Sequence, residues 1–159
     1  MSLSSFTVPS EDRFFEDYAP GAVYAFDGKI AVSEEEIIVF ARQFDPQPFH
    51  TDPHAAQQSE FGGIIASGWH TAGIMMRLYA DQYLSKVASL ASPGVDELRW
   101  LKPVRPGDVL SLRVSVLEAA PSRSKPDRGI VRSFAEVLNQ RREVVMSVKA
   151  VNFLLRRKA

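Results

Sequence analysis

At 159 residues the chain is long enough to bury one substantial core and needs no second domain. Lysine plus arginine and aspartate plus glutamate number 19 each, so no net field draws nucleic acid, and the cations are dispersed apart from an Arg-Arg-Lys end. Zero cysteines exclude disulfides, thiolate metal sites and thiol nucleophiles, and the start, MSLSSFTVPSEDRFFEDY, has no basic-then-apolar signal pattern, so the expectation is a soluble, cytoplasmic chain.

Residues 1–12 are polar and read as a poorly ordered arm, held only where later contacts reach it, before the anchors Phe14, Phe15 and Tyr18 and the turn at Pro20-Gly21. Val23 to Val32 is β-branched and aromatic, a first strand with a bulge or turn at Asp27-Gly28. Ser33-Glu34-Glu35-Glu36 is a capping box, and Ile37, Phe40, Ala41 and Phe44 then fall on one face of a helix. The Asp45-Pro46 step ends it, and prolines at 46, 48 and 53 predict a stiff loop. After a turn at Gly62-Gly63, residues Ile64 to Met76 include no Asp, Glu, Lys or Arg, as in a helix buried on nearly all sides. That helix is placed at about Gly68 to Val87, about 30 Å at 1.5 Å per residue, and the run is too short and too polar at Ser67, His70 and Thr71 to span a membrane.

Ala91-Ser92-Pro93-Gly94 breaks the chain, and four strands follow: Val95–Lys102, Val109–Leu117, Gly129–Leu138 and Glu143–Leu154. Leu110, Leu112, Val114 and Val116 alternate with Ser111, Arg113 and Ser115, one face of a sheet. The tetrad Asn139-Gln140-Arg141-Arg142 predicts a hairpin between the last two strands, and residues 121–127 an exposed loop. One strand, a helix, a loop, a long apolar helix and four antiparallel strands make an α+β domain whose sheet wraps one helix. An edge strand of such a sheet can pair with a second copy, which predicts a homodimer.

The chemistry concentrates between Phe44 and Arg77. Asp45 and His50 are two proton-moving groups five residues apart, and Ser67-Gly68 stands at a helix start, where unpaired N–H groups and a partial positive charge can hold an oxygen that gains negative charge. Asp45, near a helix C-terminus, is expected to have its ionisation opposed and so to be a stronger base. Alone, Asp45 reads as a turn residue before proline and His50 as a hydrogen-bonded structural histidine; only the pair with the helix lifts them above that. His50 and His54 have the i, i+4 spacing of helical metal ligands, but Pro53 interrupts the helix and no third ligand is evident, so no metal and no cofactor is expected. His54 is expected to face solvent and His70 to be a polar group satisfied at the helix start. Ser67 reads as an N-cap or a substrate contact, the cap being the plainer reading. Met75, Met76, Tyr79, Tyr83 and Val87 read as core, and Arg77 as the partner of an acid.

FDPQPFH before the helix and KPVRPGDVL after it resemble the MaoC-like dehydratase family, the (R)-specific enoyl-CoA hydratases of the hotdog fold, over about Phe14 to Phe153. The family pattern is Asp, a variable residue, a residue that is usually Asn, then Pro, an aliphatic residue and His, followed by a His-Gly pair at the helix start. Asp45, Pro48, His50 and Gly68 match it, as does the Pro106-Gly107-Asp108 turn; Gln47, Phe49, Phe44 and Ser67 depart from it, with Phe49 and Trp69 expected to narrow the acyl pocket. The resemblance implies a lyase on acyl-CoA thioesters. Asp45 and His50 would hold the water, Asp45 as base and His50 as acid, and the Gly68 N–H and Ser67 would serve the substrate, with coenzyme A entering as part of it. A hotdog thioesterase and a non-catalytic acyl-thioester binding domain are the alternatives. For the coenzyme A phosphates, Arg99, Lys102, Arg105, Arg123, Lys125 and Arg128 are candidates by charge alone, a solvated surface being the plainer reading for each, so the sequence assigns none.

Overall fold

The computed structural model describes residues 2–159. Five strands, β1 (Val23–Ala31), β2 (Val95–Trp100), β3 (Val109–Pro121), β4 (Arg128–Leu138) and β5 (Val144–Leu155), form one antiparallel sheet in the order β1-β3-β4-β5-β2. Helices α1 (Glu34–Phe44), α2 (Pro48–Thr51), α3 (Pro53–Gln58) and α4 (Gly68–Gln82) lie between β1 and β2 in sequence. This is the hotdog arrangement, a sheet curled around one helix, of the α+β class.

The sheet face that meets α4 is the one the alternation predicts: Leu110, Leu112, Val114 and Val116 are all buried, the last three opposite the buried Val137, Ala135 and Ser133 of β4. β1 shifts register between Ala25 and Lys29, so the bulge at Asp27-Gly28 is real. β3 runs four residues past the predicted Leu117, because a register shift after Val116 lets Glu118 to Pro121 go on pairing with β4. The hairpin between β4 and β5 closes on Asn139, whose N–H donates to the Glu143 carbonyl and whose carbonyl accepts from the Arg142 N–H, both at 3.0 Å.

Two helical expectations need correction. α4 ends at Gln82, not near Val87, so it is about 22 Å long at 1.5 Å per residue. Its last carbonyls are taken from outside the helix: Arg13 Nη1 donates to the Gln82 and Tyr83 carbonyls at 3.2 and 2.9 Å, and the Tyr18 hydroxyl donates to Tyr83 at 2.8 Å. Arg13 and Phe6 thereby become part of the core wall, with the Arg13 guanidinium over the Phe6 ring and Phe6 stacked on Tyr24. Nor is α4 buried on nearly all sides. Thr71, Ile74, Met75, Leu78 and Tyr79 face the sheet, whereas Trp69 and Met76 are 60% and 47% exposed. Val87, beyond the helix, is exposed too, so of the five residues assigned to the core Met75, Tyr79 and Tyr83 belong there and Met76 and Val87 do not. Arg77 does pair with an acid, Asp81, one turn along on the exposed face.

The segment between α1 and α4, expected as a stiff loop, carries the short helices α2 and α3. Each has its proline at the first turn, where the missing N–H costs nothing and the fixed φ suits the helix. The helices break at Asp52, whose side chain caps α3 by accepting from the His54 and Ala55 N–H groups. No continuous helix therefore joins His50 to His54, and His54 is exposed as expected.

Candidate active site

Three stretches meet at the N-terminus of α4. The end of α1 delivers Asp45, α2 delivers His50, and the run from Ile64 to Ser67 leads into the helix. That run is clamped on both sides, by Phe49, whose carbonyl accepts from the Ile65 N–H at 3.2 Å, and by Val104, whose carbonyl accepts from the Ala66 N–H at 2.8 Å. The Pro106-Gly107-Asp108 turn fixes Val104 in turn. Gly107 adopts φ +89°, which favours glycine, and the buried Asp108 carboxylate accepts from the Arg105 N–H at 2.9 Å and from Gln140 Nε2 at 2.9 Å.

Asp45 and His50 converge, with His50 Nε2 3.3 Å from Asp45 Oδ2. His50 is 5% exposed, and its Nδ1 lies 2.6 Å from the Ile65 carbonyl oxygen. A carbonyl can only accept, so Nδ1 carries a proton, and in neutral His50 the lone pair on Nε2 faces the carboxylate side of the site. Protonated, the same nitrogen becomes a proton donor. The Asp45 carboxylate accepts from two donors, Gln47 Nε2 on Oδ1 at 2.7 Å and the Ser67 hydroxyl on Oδ2 at 2.7 Å, and gains a third, His50 Nε2, when the imidazole is protonated.

This corrects the expected direction of the Asp45 pKa. Burial pushes it up, but the hydrogen bonds from Gln47 and Ser67 and the nearby His50 outweigh burial, and the net displacement is below the ordinary 3.8. The helix-terminus argument is overruled because two donors point at the carboxylate. Asp45 therefore stabilises the fold above its unfolded pKa and loses that contribution as pH falls through its lower folded value. Removing a donor reverses the shift. Ser67→Ala is expected to move the acidic limb of kcat/KM to higher pH, and, because Ser67 also caps α4 by accepting from the Trp69 N–H, to lower stability by about 1 kcal/mol. A pH–rate profile and a thermal melt measure the two effects separately.

Ser67 thus fills its capping role and a second one, orienting the carboxylate. Gly68, the first residue of α4, lines a cleft of about 260 Å³ together with His50, Ile65, Ala66, Thr71 and residues 100–104. Its N–H has no hydrogen-bond partner among the described residues. Glycine is required there by contact: a Cβ would overlap the indole of Trp100, whose Nε1 donates to the Gly68 carbonyl at 2.9 Å. Trp100 is a wall of the candidate site that no motif in the sequence announces. It sits against Trp69 edge to face, with ring centroids 5.1 Å apart, and lines the cleft itself, whereas Trp69 and Phe49, both expected to narrow the pocket, do not. Phe49 is turned instead against the His50 ring, edge to face at 4.5 Å.

His70 corrects another expectation. It stacks on Phe40 of α1 with ring centroids 4.8 Å apart, and its buried Nδ1 has no partner. Burial lowers its pKa from the ordinary 6.5, the nearby Glu36 only partly opposing this. A folded-state pKa below the unfolded one means that stability is complete above about pH 6.5 and falls as pH drops. His70→Phe is expected to remove that acid sensitivity, so that the Tm difference between pH 7.5 and pH 5.5 is smaller in the variant than in the parent. Among the described residues no group of three His, Asp or Glu lies close enough to hold a metal ion, and no helix is long and apolar enough to cross a membrane.

A hotdog domain with a carboxylate and an imidazole paired beside a helix N-terminus is the class of protein that the fold and the site define. Residues 16–136 match the MaoC-like domain, so the chain belongs to the MaoC-like dehydratase family. It is 33% identical over 128 residues to the uncharacterized protein YdeM of Bacillus subtilis, covering 80% of this chain and 89% of that one. It is 30% identical over 117 residues to the 3-hydroxybutyryl-CoA dehydratase of Methylorubrum extorquens, covering 70% and 69% of the two chains. The crystal structure of the MaoC-like dehydratase from Rhodospirillum rubrum superposes with a TM-score of 0.84 at 44% identity, over 92% of this chain and 99% of that one.

Proposed function

We propose that the protein hydrates trans-2-enoyl-CoA to (R)-3-hydroxyacyl-CoA, or dehydrates in reverse, with Asp45 and His50 sharing one water and the Gly68 N–H receiving the thioester oxygen. The observation that carries this is the 3.3 Å approach of His50 Nε2 to Asp45 Oδ2 beside the open cleft at Gly68. In the hydration direction Asp45, ionised at neutral pH because its neighbours favour the anion, takes a proton from water as the oxygen adds to C3. Imidazolium His50 then gives the Nε2 proton to C2. Negative charge on the thioester oxygen meets the free N–H and the positive end of the α4 dipole. Proton transfer from Asp45 to His50 across their short separation restores both groups. The Ile65 carbonyl keeps Nδ1 protonated throughout, so only Nε2 takes part.

The relative that acts on a 3-hydroxybutyryl-CoA supports a coenzyme A ester as substrate. Homodimerisation belongs to the same reading: β2 ends the sheet, and Val95 and Trp100 on it and Leu101 just after it are exposed beside the exposed Trp69. Sedimentation equilibrium giving a monomer at micromolar concentration contradicts that part alone. Incubation with crotonyl-CoA tests the reaction: loss of the enone absorbance without free thiol is expected, whereas release of thiol identifies a thioesterase instead.

A further inference from the structure

We infer that Arg105, next to the cleft-lining Val104, and Arg142, next to the Glu143 that pairs with the cleft-lining Lys102, form the cradle for the phosphates of the coenzyme A substrate, an inference that rests on the acyl-CoA reading above. The structure separates the cations that charge alone could not. Arg123, Lys125 and Arg128 lie around the β3–β4 connection, at the far end of β3 from Val109, separated from the cleft end by roughly 40 Å of extended chain. Arg128 is also paired with Asp127 there. Arg99 alternates along β2 with Leu98 and Trp100, which face the core and Gly68, so it stands on the opposite face of the sheet. Lys102 alone of the six lines the cleft, and Arg105 follows it in the same clamped segment.

Two turns come together here. Gln140 of the β4–β5 hairpin donates to Asp108 of the Arg105–Asp108 turn, and Glu143 of the hairpin pairs with Lys102. The patch therefore holds four cations, Lys102, Arg105, Arg141 and Arg142, against two carboxylates. Both carboxylates are spent: Glu143 holds Lys102, Arg141 and Asn139, and Asp108 holds the Arg105 N–H and Gln140. Among the described residues neither the Arg105 nor the Arg142 guanidinium pairs with an acid, so two forks remain open for phosphate oxygens.

The backbone gives an independent reason to look at Arg142. It occupies φ +61°, the left-handed position of its hairpin turn, where glycine or asparagine is the residue the turn favours. An arginine there costs stability that nothing in its own contacts returns, as expected where a side chain is kept for binding.

Isothermal titration with butyryl-CoA, which has no double bond to hydrate, tests the cradle. Arg105→Ala and Arg142→Gly are each expected to raise Kd about tenfold, the scale of one charge-assisted hydrogen bond. Neither should change the much weaker binding of butyryl-pantetheine, which has the thioester and no phosphate. Arg142→Gly should melt at the same temperature as the parent or higher, since glycine suits the turn, which removes misfolding as an explanation. Unchanged affinity for butyryl-CoA in both variants, an equal loss on the pantetheine ester, or no binding of butyryl-CoA by the parent overturns the inference. A parent that binds butyryl-CoA through these arginines and leaves crotonyl-CoA intact overturns the lyase reading and leaves the cradle standing.

Discussion

Asp45→Asn is expected to lower kcat/KM for crotonyl-CoA hydration by about 10²–10⁴-fold, the ordinary contribution of a positioned acid or base, and His50→Ala by a similar factor. The two side chains share one proton path, so the double variant should be little worse than either single one. Independent roles would instead multiply the losses. Asn keeps the shape of Asp and can still accept from Ser67 or Gln47, so thermal stability should fall much less than activity. A variant within a few-fold of the parent in kcat/KM removes Asp45 from the chemistry and leaves it a turn residue.

The second large effect falls on Gly68, and its origin is space. In Gly68→Ala the added methyl meets the Trp100 ring, and either the indole gives up its hydrogen bond to the Gly68 carbonyl or the helix start shifts. The N–H survives but its aim does not. A misplacement of about 1 Å at an oxyanion donor is worth about 10²-fold in rate, so kcat should fall by about that factor while the pH at which Asp45 titrates stays put. Rescue separates steric from chemical causes: adding Trp100→Ala to Gly68→Ala should recover part of kcat, because the obstacle is gone. No recovery in the double variant means the glycine matters for its backbone conformation and not for its clearance from the indole.

Much of this site can be read in the sequence, for identifiable reasons. Asp45 and His50 are five residues apart with prolines between and beside them, so local geometry alone brings them near each other. Ser67-Gly68 announces a helix start through its own residue types. Trp100 carries no such signal: it lies 50 residues beyond His50 and reaches Gly68 only because β2 pairs with β5 through a register shift between Asp96 and Arg99 that sets which side chains face inward. The acidity of Asp45 was hidden for the same reason. Ser67 is 22 residues away in the chain, and its hydroxyl decides a charge state that the nearby helix terminus suggests wrongly. The end of α4 is a third case, set by Arg13 and Tyr18 arriving from the opposite end of the chain, where periodicity has nothing to say.

The chain has two tryptophans in all, Trp69 and Trp100, and they touch each other, Trp100 on the cleft wall and Trp69 beside it. With excitation that tyrosine does not share, its emission therefore originates from one spot. Excited near 295 nm, the protein should report occupancy of that cleft without any added dye. By the same token, an emission-detected melt follows the loosening of a single corner, so it need not coincide with circular dichroism of the whole sheet.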